Sequence, residues 1–404
     1  MVLAAALAAA GTRAAPDRYT EVVRGRALTI AGDCIACHTV GGGVPYAGGV
    51  LLQTPFGSIA TPNLTPDDAT GLGLWTPAEF ARAMHSGIGR SGRHLYPAFP
   101  YTYYTKLSRA DTDAIYTYLR TLSPVRNKVS RDTLPFPFDI RALMVGWNAM
   151  FFRPGEFRPD PNRSAEYNQG AYLVEGLGHC GACHTAMNWA GANRPVRFLQ
   201  GNLLGGWVDP NITDDRRVGL GTWSVDDIAE YLKTGRNAHS QAIGPMAEVV
   251  SDSTSQMSAG ELHAIATYLK ERGAAGPAAP APLPASDARM QSGAALYVDN
   301  CSACHTRTGA GVPRLFPPLA GDQAVQQSNP TTLITIVLQG AQGAATETAP
   351  TAPAMPAFGW RLTDAQVADV LTYVRNSWGN AAGAVSTGEA RRLRRAANAG
   401  QRGM

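Results

Sequence analysis

The sequence predicts a mainly α-helical chain of three tandem small domains with long loops. Three observations lead there. A five-residue string, Cys-x-x-Cys-His, occurs three times, and its first cysteines (Cys34, Cys180, Cys301) lie 146 and 121 residues apart. A glycine-bearing helical pattern opens each interval and an amphipathic one closes it. The composition, with 43 Gly, 28 Pro and 45% hydrophobic residues, is that of a packed but loop-rich protein. A chain of 404 residues has room for such a set of domains. Its net charge of +4 offers no broad basic field, so nucleic acid is not an expected partner.

The strings read Cys34-Ile35-Ala36-Cys37-His38, Cys180-Gly181-Ala182-Cys183-His184 and Cys301-Ser302-Ala303-Cys304-His305. They contain all six cysteines of the chain. This is the attachment signature of c-type haem: both thiols become thioethers, and the adjacent imidazole binds iron. A zinc site needs four ligands, and three pairs cannot share them symmetrically. A thioredoxin-like dithiol does not require the histidine. The expectation is therefore three haem c groups, held by the six cysteines and ligated by His38, His184 and His305.

In chain order, residues 1–15 read as the remnant of an apolar signal peptide, with Val2-Leu3-Ala4-Ala5-Ala6-Leu7 before Thr12-Arg13-Ala14-Ala15-Pro16. The first domain, 16–123, opens with a helix around Arg24-Gly25 and closes with one over Leu107–Leu119. A connecting segment, 124–168, runs through Leu134-Pro135-Phe136-Pro137-Phe138 and the apolar run Ala142–Phe152. It predicts an extended stretch and then a short packed helix. The second domain, 169–273, opens at Gly170-Ala171-Tyr172-Leu173 and closes over Met257–Leu269. A Pro/Ala linker, 274–285, is expected to be exposed and semi-rigid. The third domain, 286–380, opens at Gly293-Ala294-Ala295-Leu296 and closes over Leu362–Val374. Ser108, Ser258 and Thr363 stand where the closing helices need N-caps. The tail, 381–404, carries Arg391, Arg392, Arg394, Arg395 and Arg402. It suits anionic lipid or an acidic partner, with a disordered solvated end as the default. No segment after the N-terminus is apolar for long enough to span a bilayer.

The first two repeats share a block absent from the third. Pro62-Asn63-Leu64-Thr65 and Gly71-Leu72-Gly73-Leu74-Trp75-Thr76 match Pro210-Asn211-Ile212-Thr213 and Gly219-Leu220-Gly221-Thr222-Trp223-Ser224. Trp75 and Trp223 either shield a haem edge or fill the core.

Methionine is a common sixth ligand opposite histidine. Met246 in Gly244-Pro245-Met246 and Met355 in Ala354-Met355-Pro356 occupy suitable places, with proline stiffening each loop. In repeat one, Pro97-Ala98-Phe99-Pro100 places phenylalanine at that point. Its haem is then five-coordinate or ligated from elsewhere. Met144 is the favoured residue, ahead of His85, Met84 and His94, with core methionine as the competing role.

With these motifs together, and with Leu95-Tyr96-Pro97-Ala98-Phe99-Pro100-Tyr101, Arg153-Pro154-Gly155 and Gly170–Gly176, the chain resembles a known family over roughly residues 18 to 380. This is the three-haem cytochrome c subunit of bacterial membrane-bound periplasmic dehydrogenases acting on alcohols, gluconate, fructose or aldehydes. The resemblance implies three tandem cytochrome c domains and an electron-transfer subunit that is not catalytic alone. It implies a catalytic partner of molybdenum/iron–sulfur, flavin or quinoprotein type, delivery to ubiquinone or another cytochrome, and peripheral contact at the periplasmic face of the cytoplasmic membrane. Phe99 looks more like the subunits paired with molybdenum-dependent aldehyde oxidisers. The alternatives are a gas-binding or sensing cytochrome with an open first haem, and a self-contained peroxidase or thiosulfate oxidiser.

Overall fold

Each opening helix crosses its closing helix at a glycine, because no larger residue fits between the two backbones. The computed structural model describes residues 17–401 apart from Arg131, Ala274, Ala275 and Pro277; the expected signal segment and Arg402 lie outside the described residues. Repeat one comprises α1 (Arg18–Ala31), α2 (Cys34–His38), a hairpin of β1 (Leu51–Thr54) and β2 (Gly57–Ala60), α3 (Pro77–Ser86), α4 (Tyr101–Tyr104) and α5 (Arg109–Leu119). The join contributes α6 (Leu143–Phe151). Repeat two comprises α7 (Ala165–Tyr172), a π-turn over Leu173–Leu177, α8 (Gly181–His184), a hairpin of β3 (Asn202–Leu204) and β4 (Trp207–Asp209), α9 (Val225–Thr234), α10 (Pro245–Asp252) and α11 (Ala259–Lys270). Repeat three comprises α12 (Ala288–Asn300), α13 (Ser302–His305), α14 (Gln323–Gln326), α15 (Thr331–Gln339), the short pair β5 (Ala341–Gln342) and β6 (Ala354–Met355), and α16 (Asp364–Arg375), followed by α17 (Thr387–Gln401). The three two-stranded pairs are all antiparallel.

The crossings repeat in detail. A Cβ on Gly25 would lie 1.9 Å from Ala114 O, on Gly170 1.9 Å from Ala264 O, and on Gly293 2.3 Å from Asp369 O. The closing helices begin as their sequences require. Ser108 accepts from Asp111 N at 3.1 Å, Ser258 from Glu261 N at 3.3 Å and Thr363 from Gln366 N at 3.3 Å. Each such cap is worth about 1 kcal/mol.

The cores do not divide as the repeats do. One apolar cluster runs through repeats one and two, joining Leu107, Ile115 and Leu119 to Val174, Leu177, Leu262 and Tyr268. Repeat three has its own, around Tyr297, Ile334, Val367 and Leu371. Polar ties reinforce the first junction. Tyr172 donates to Asp111, Ser108 N donates to Tyr172 Oη at 3.1 Å, and Lys106 meets Glu175 at 3.3 Å.

Two expectations are corrected. Helix α6 is expected from its apolar run to be packed, yet only its Trp147 is buried, and Leu143, Val145 and Met150 are exposed. The tail is expected to be a solvated disordered end, but α17 is a 15-residue helix docked on repeat three. Ala390 is fully buried, Leu393 joins the third core, and Arg394 reaches Asp364, Gly359 O and Leu362 O. The apolar stripe of α17 is too short and interrupted to stand out among its arginines in the sequence. In the linker, Ala278–Pro282 are exposed, and Leu283 N donates to Asn376 Oδ1 at 3.0 Å where repeat three begins.

Candidate functional site

Each Cys-x-x-Cys-His string forms one short helical turn, α2, α8 or α13, directly after an opening helix or its π-turn. In all three the histidine Nδ1 faces a proline carbonyl: His38 to Pro62 O at 2.7 Å, His184 to Pro210 O at 2.8 Å and His305 to Pro317 O at 2.9 Å. A carbonyl only accepts, so Nδ1 carries the proton and the Nε2 lone pair is left for iron. Burial lowers all three imidazoles, His38 to about 4, which keeps them neutral as a ligand must be. The histidine backbone is fixed as well. His38 O, His184 O and His305 O accept from Gly48, Gly201 and Gly311 N at 2.7, 2.9 and 3.1 Å. Gly48 has φ 73°, and a Cβ there would lie 2.4 Å from Pro62 O, the very acceptor that His38 uses.

The shared Pro-Asn-x-Thr block now has a function. Asn63 Oδ1 accepts from Thr65 N and Oγ1 at 2.9 and 2.8 Å, and Asn211 Oδ1 from Thr213 N and Oγ1 at 2.8 and 2.7 Å. These turns hold Pro62 O and Pro210 O in place. Sequence reasoning misses this role of the prolines. The signal for it is one proline 24, 26 or 12 residues after each histidine.

The cysteines are unbridged. Burial pushes Cys34 and Cys183 up to about 12 and Cys37, Cys180 and Cys301 up to about 11. No group of three or more His, Cys, Asp or Glu able to hold a metal ion occurs among the described residues. The zinc alternative therefore finds no ligand set there. A paired, unbridged dithiol beside an oriented neutral imidazole is the donor set that haem c requires, so the residues fit that group.

The distal loops follow one register. Helices α3 and α9 end at left-handed Gly87 and Gly235, whose carbonyls accept from Leu95 N and Ala242 N, both at 2.7 Å. Four residues further on stand Phe99 and Met246. Phe99 thus takes in repeat one the place of Met246 in repeat two. Met355 lies in β6 opposite Ala341, just beyond the Gly340 cap of α15. Met144 packs, like Phe99, against the cluster of Tyr101, Trp147, Phe152 and Ala192. Of the other residues weighed for repeat one, Met84 is 5% exposed in the core and His85 Nε2 is engaged with Thr112 Oγ1 at 2.8 Å. His94 Nδ1 is buried without a hydrogen-bond partner. Trp223 is buried and stacked on His239 at 5.3 Å, while Trp75 is partly buried against the shared core.

The three sites meet in two different ways. Repeats one and two approach beside their attachment strings: Gly32, just before the first string, lies against Leu177, just before the second. Neighbouring Tyr103 and Tyr104 of α4 face the two strings: Tyr103 lies against Gly181 of the second, and Tyr104 Oη donates to Gly32 O, just before the first, at 3.3 Å. Repeats two and three approach through their methionine loops. Ile243 pairs with Gly343, and Gln241 Nε2 donates to Pro353 O at 3.1 Å.

Among the described residues no helix is long and apolar enough to cross a membrane. A family model for cytochrome c matches residues 22–123 and 290–378. The chain is 42% identical over 361 residues to one subunit of the nicotinate dehydrogenase of Pseudomonas putida, covering 87% of this chain but only 30% of that protein. It is 39% identical over 387 residues to the gluconate 2-dehydrogenase cytochrome c subunit of Pantoea cypripedii, covering 91% and 87% of the two chains. It is 38% identical over 407 residues to the cytochrome c subunit of the quinone-type alcohol dehydrogenase of Gluconacetobacter polyoxogenes, covering 95% and 87%.

Proposed function

This chain belongs to the cytochrome c subunits of bacterial dehydrogenases, and from that premise we propose that it carries three haem c groups and passes single electrons from a catalytic dehydrogenase subunit to ubiquinone or a downstream cytochrome. The observation that carries this reading is the threefold repetition of one arrangement, a histidine Nδ1 held by a proline carbonyl beside two unbridged thiols. Bound haem c supplies a one-electron iron couple. The chain's own residues do the rest. Cys34 and Cys37, Cys180 and Cys183, and Cys301 and Cys304 fix the three groups covalently. His38, His184 and His305 present Nε2 from one side. Met246 and Met355 present thioethers from proline-stiffened loops, and Met144 serves the first site in place of Phe99.

The sequence carries no separate acid–base constellation, so substrate oxidation belongs to the partner, which acts on an aldehyde, alcohol or sugar. Phe99 favours a partner of the molybdenum/iron–sulfur kind over the flavin and quinoprotein kinds. The site of work is the periplasm at the outer face of the cytoplasmic membrane, reached with the apolar N-terminal segment as signal peptide. The test is haem quantification on the purified chain, with reduction by the catalytic subunit and its substrate. Three haems per chain, all reducible through the partner, are expected; two or fewer would refute the assignment. Phe99 at the ligand place also favours a second reading, an open first site that binds a gas. Carbon monoxide added to the reduced protein decides it, since an unperturbed spectrum removes that reading.

A further inference from the structure

The join between the first two repeats leaves a large apolar surface uncovered. Phe136 is 80% exposed, Met150 58% and Val145 56%. Across the repeat boundary Trp189 is 85% exposed. The segments that carry them are held together. Phe138 packs on Phe56 at 5.0 Å, Phe56 lies against Gly191, and Trp147 Nε1 donates to Ala190 O at 2.9 Å. The loop bearing Trp189 is thereby tied to α6.

Its charge pattern selects the occupant. Residues 140–155 and 186–200 contain no carboxylate, and they contain Arg141, Arg153, Arg194 and Arg197. Arg141 is neutralised by Asp132, and the other three are exposed. Residues 134–152 contain a single acid, Asp139. A protein partner that fitted this face would need a hydrophobic patch rimmed with acids. An anionic bilayer supplies both properties at once, with acyl chains for aromatic and aliphatic side chains and phosphates for the arginine rim. Helix α6 also suits it. It is apolar almost all round, so there is little polar face to keep in water, while Trp147 and Tyr101, which donates to Asn148 Oδ1 at 2.6 Å, anchor it to the protein. At nine residues it is far too short to span, so it would lie at the interface.

We propose that the face formed by the Phe136–Phe138 turn, α6 and the Trp189 loop seats this cytochrome on an anionic phospholipid surface. The inference rests on the peripheral membrane contact in the functional reading and names its site. Seating is then set by the junction of repeats one and two.

The test uses the full holo-cytochrome, sedimented with vesicles of phosphatidylglycerol and phosphatidylcholine or of phosphatidylcholine alone. A Phe136→Ser/Met150→Ser/Trp189→Ser variant is compared with Trp360→Ser, which removes an equally exposed aromatic from repeat three. The expected result is binding to the mixed vesicles, weakened by salt, with a loss of about tenfold or more in the triple variant and none in Trp360→Ser. Haem content and dithionite reduction, measured without vesicles, should be unchanged, so failure of docking and failure of the relay are read separately. Wild-type protein left in the supernatant, or equal binding by the triple variant, overturns the proposal. So does loss of catalytic-subunit association with vesicle binding intact.

Discussion

Replacing Asn63 with alanine should loosen one proximal histidine and leave the other two alone. Asn63 is 2% exposed and makes four hydrogen bonds. Its Oδ1 accepts from Thr65 N and Oγ1, and its Nδ2 donates to Thr70 Oγ1 at 3.0 Å and Val125 O at 2.7 Å. A net value of about 1 kcal/mol for each would give about 4 kcal/mol. Thr65 Oγ1 and Val125 O retain a mutual contact at 3.3 Å, which brings the expected loss to about 3 kcal/mol. Asn211, with two such bonds to Thr213, should cost about 2 kcal/mol on the same reasoning. The functional effect follows from Pro62 O. When that acceptor is no longer held, His38 Nδ1 loses part of its hydrogen bond, the imidazole becomes a poorer donor, and ferric iron loses more than ferrous. The first site's potential should rise, by about 60 mV for each tenfold change in relative affinity. Denaturant melts and a spectroelectrochemical titration of both variants check this. A loss below about 1 kcal/mol, or equal shifts at all three sites, would refute the coupling of the turn to its histidine.

Gly170→Ala should destabilise by more than the roughly 1–3 kcal/mol usual for overpacking, because the added carbon meets backbone at Ala264 O rather than a movable side chain; thermal unfolding measures it. Phe99→Met should insert a thioether at the register of Met246, so that Met144→Ala, harmful to the first site's methionine-to-iron charge-transfer band in the parent, becomes silent in that background. Persistence of the parent band in Met144→Ala alone would instead move the ligation to another methionine, with Met84 the first to test. Asp322, raised to about 6 chiefly by burial, favours the folded state when protonated. Its contribution is full below the unfolded value of 3.8 and is lost as pH rises through about 6. Asp322→Asn, which keeps a side-chain acceptor for Ala324 N and Val325 N, should therefore gain stability over the parent above about pH 6 and not below about pH 4. Equal melting differences at both ends would remove the ionisation argument.

The strings, the glycine-bearing opening helices and the caps of the closing helices are legible because each depends on a few adjacent residues whose chemistry admits little else. Phe99 is legible too, since its flanks match those of Met355 and the backbone register equates it with Met246. What the sequence hides is long-range. The carbonyls of Pro62, Pro210 and Pro317 act through the main chain, which no residue type announces. The shared core of repeats one and two needs Leu107 and Leu177 to meet, and two amphipathic patterns do not say whose apolar faces touch. Helix α6 misleads because an apolar run normally implies burial, and here most of it remains at the surface.

That common core has a consequence for modularity. Repeats one and two form a single piece, while repeat three carries a core of its own. A fragment cut at the Pro/Ala linker keeps the joint cluster whole, whereas one cut within residues 124–168 strips Val174 and Leu177 from Leu107 and exposes what they covered. Gain or loss of the terminal module at the linker leaves that cluster whole and opens only the small one of Ala242, Val250 and Ala344, whereas splitting the first two opens the large one. Lengthening the relay by duplication would be tolerated at its C-terminal end.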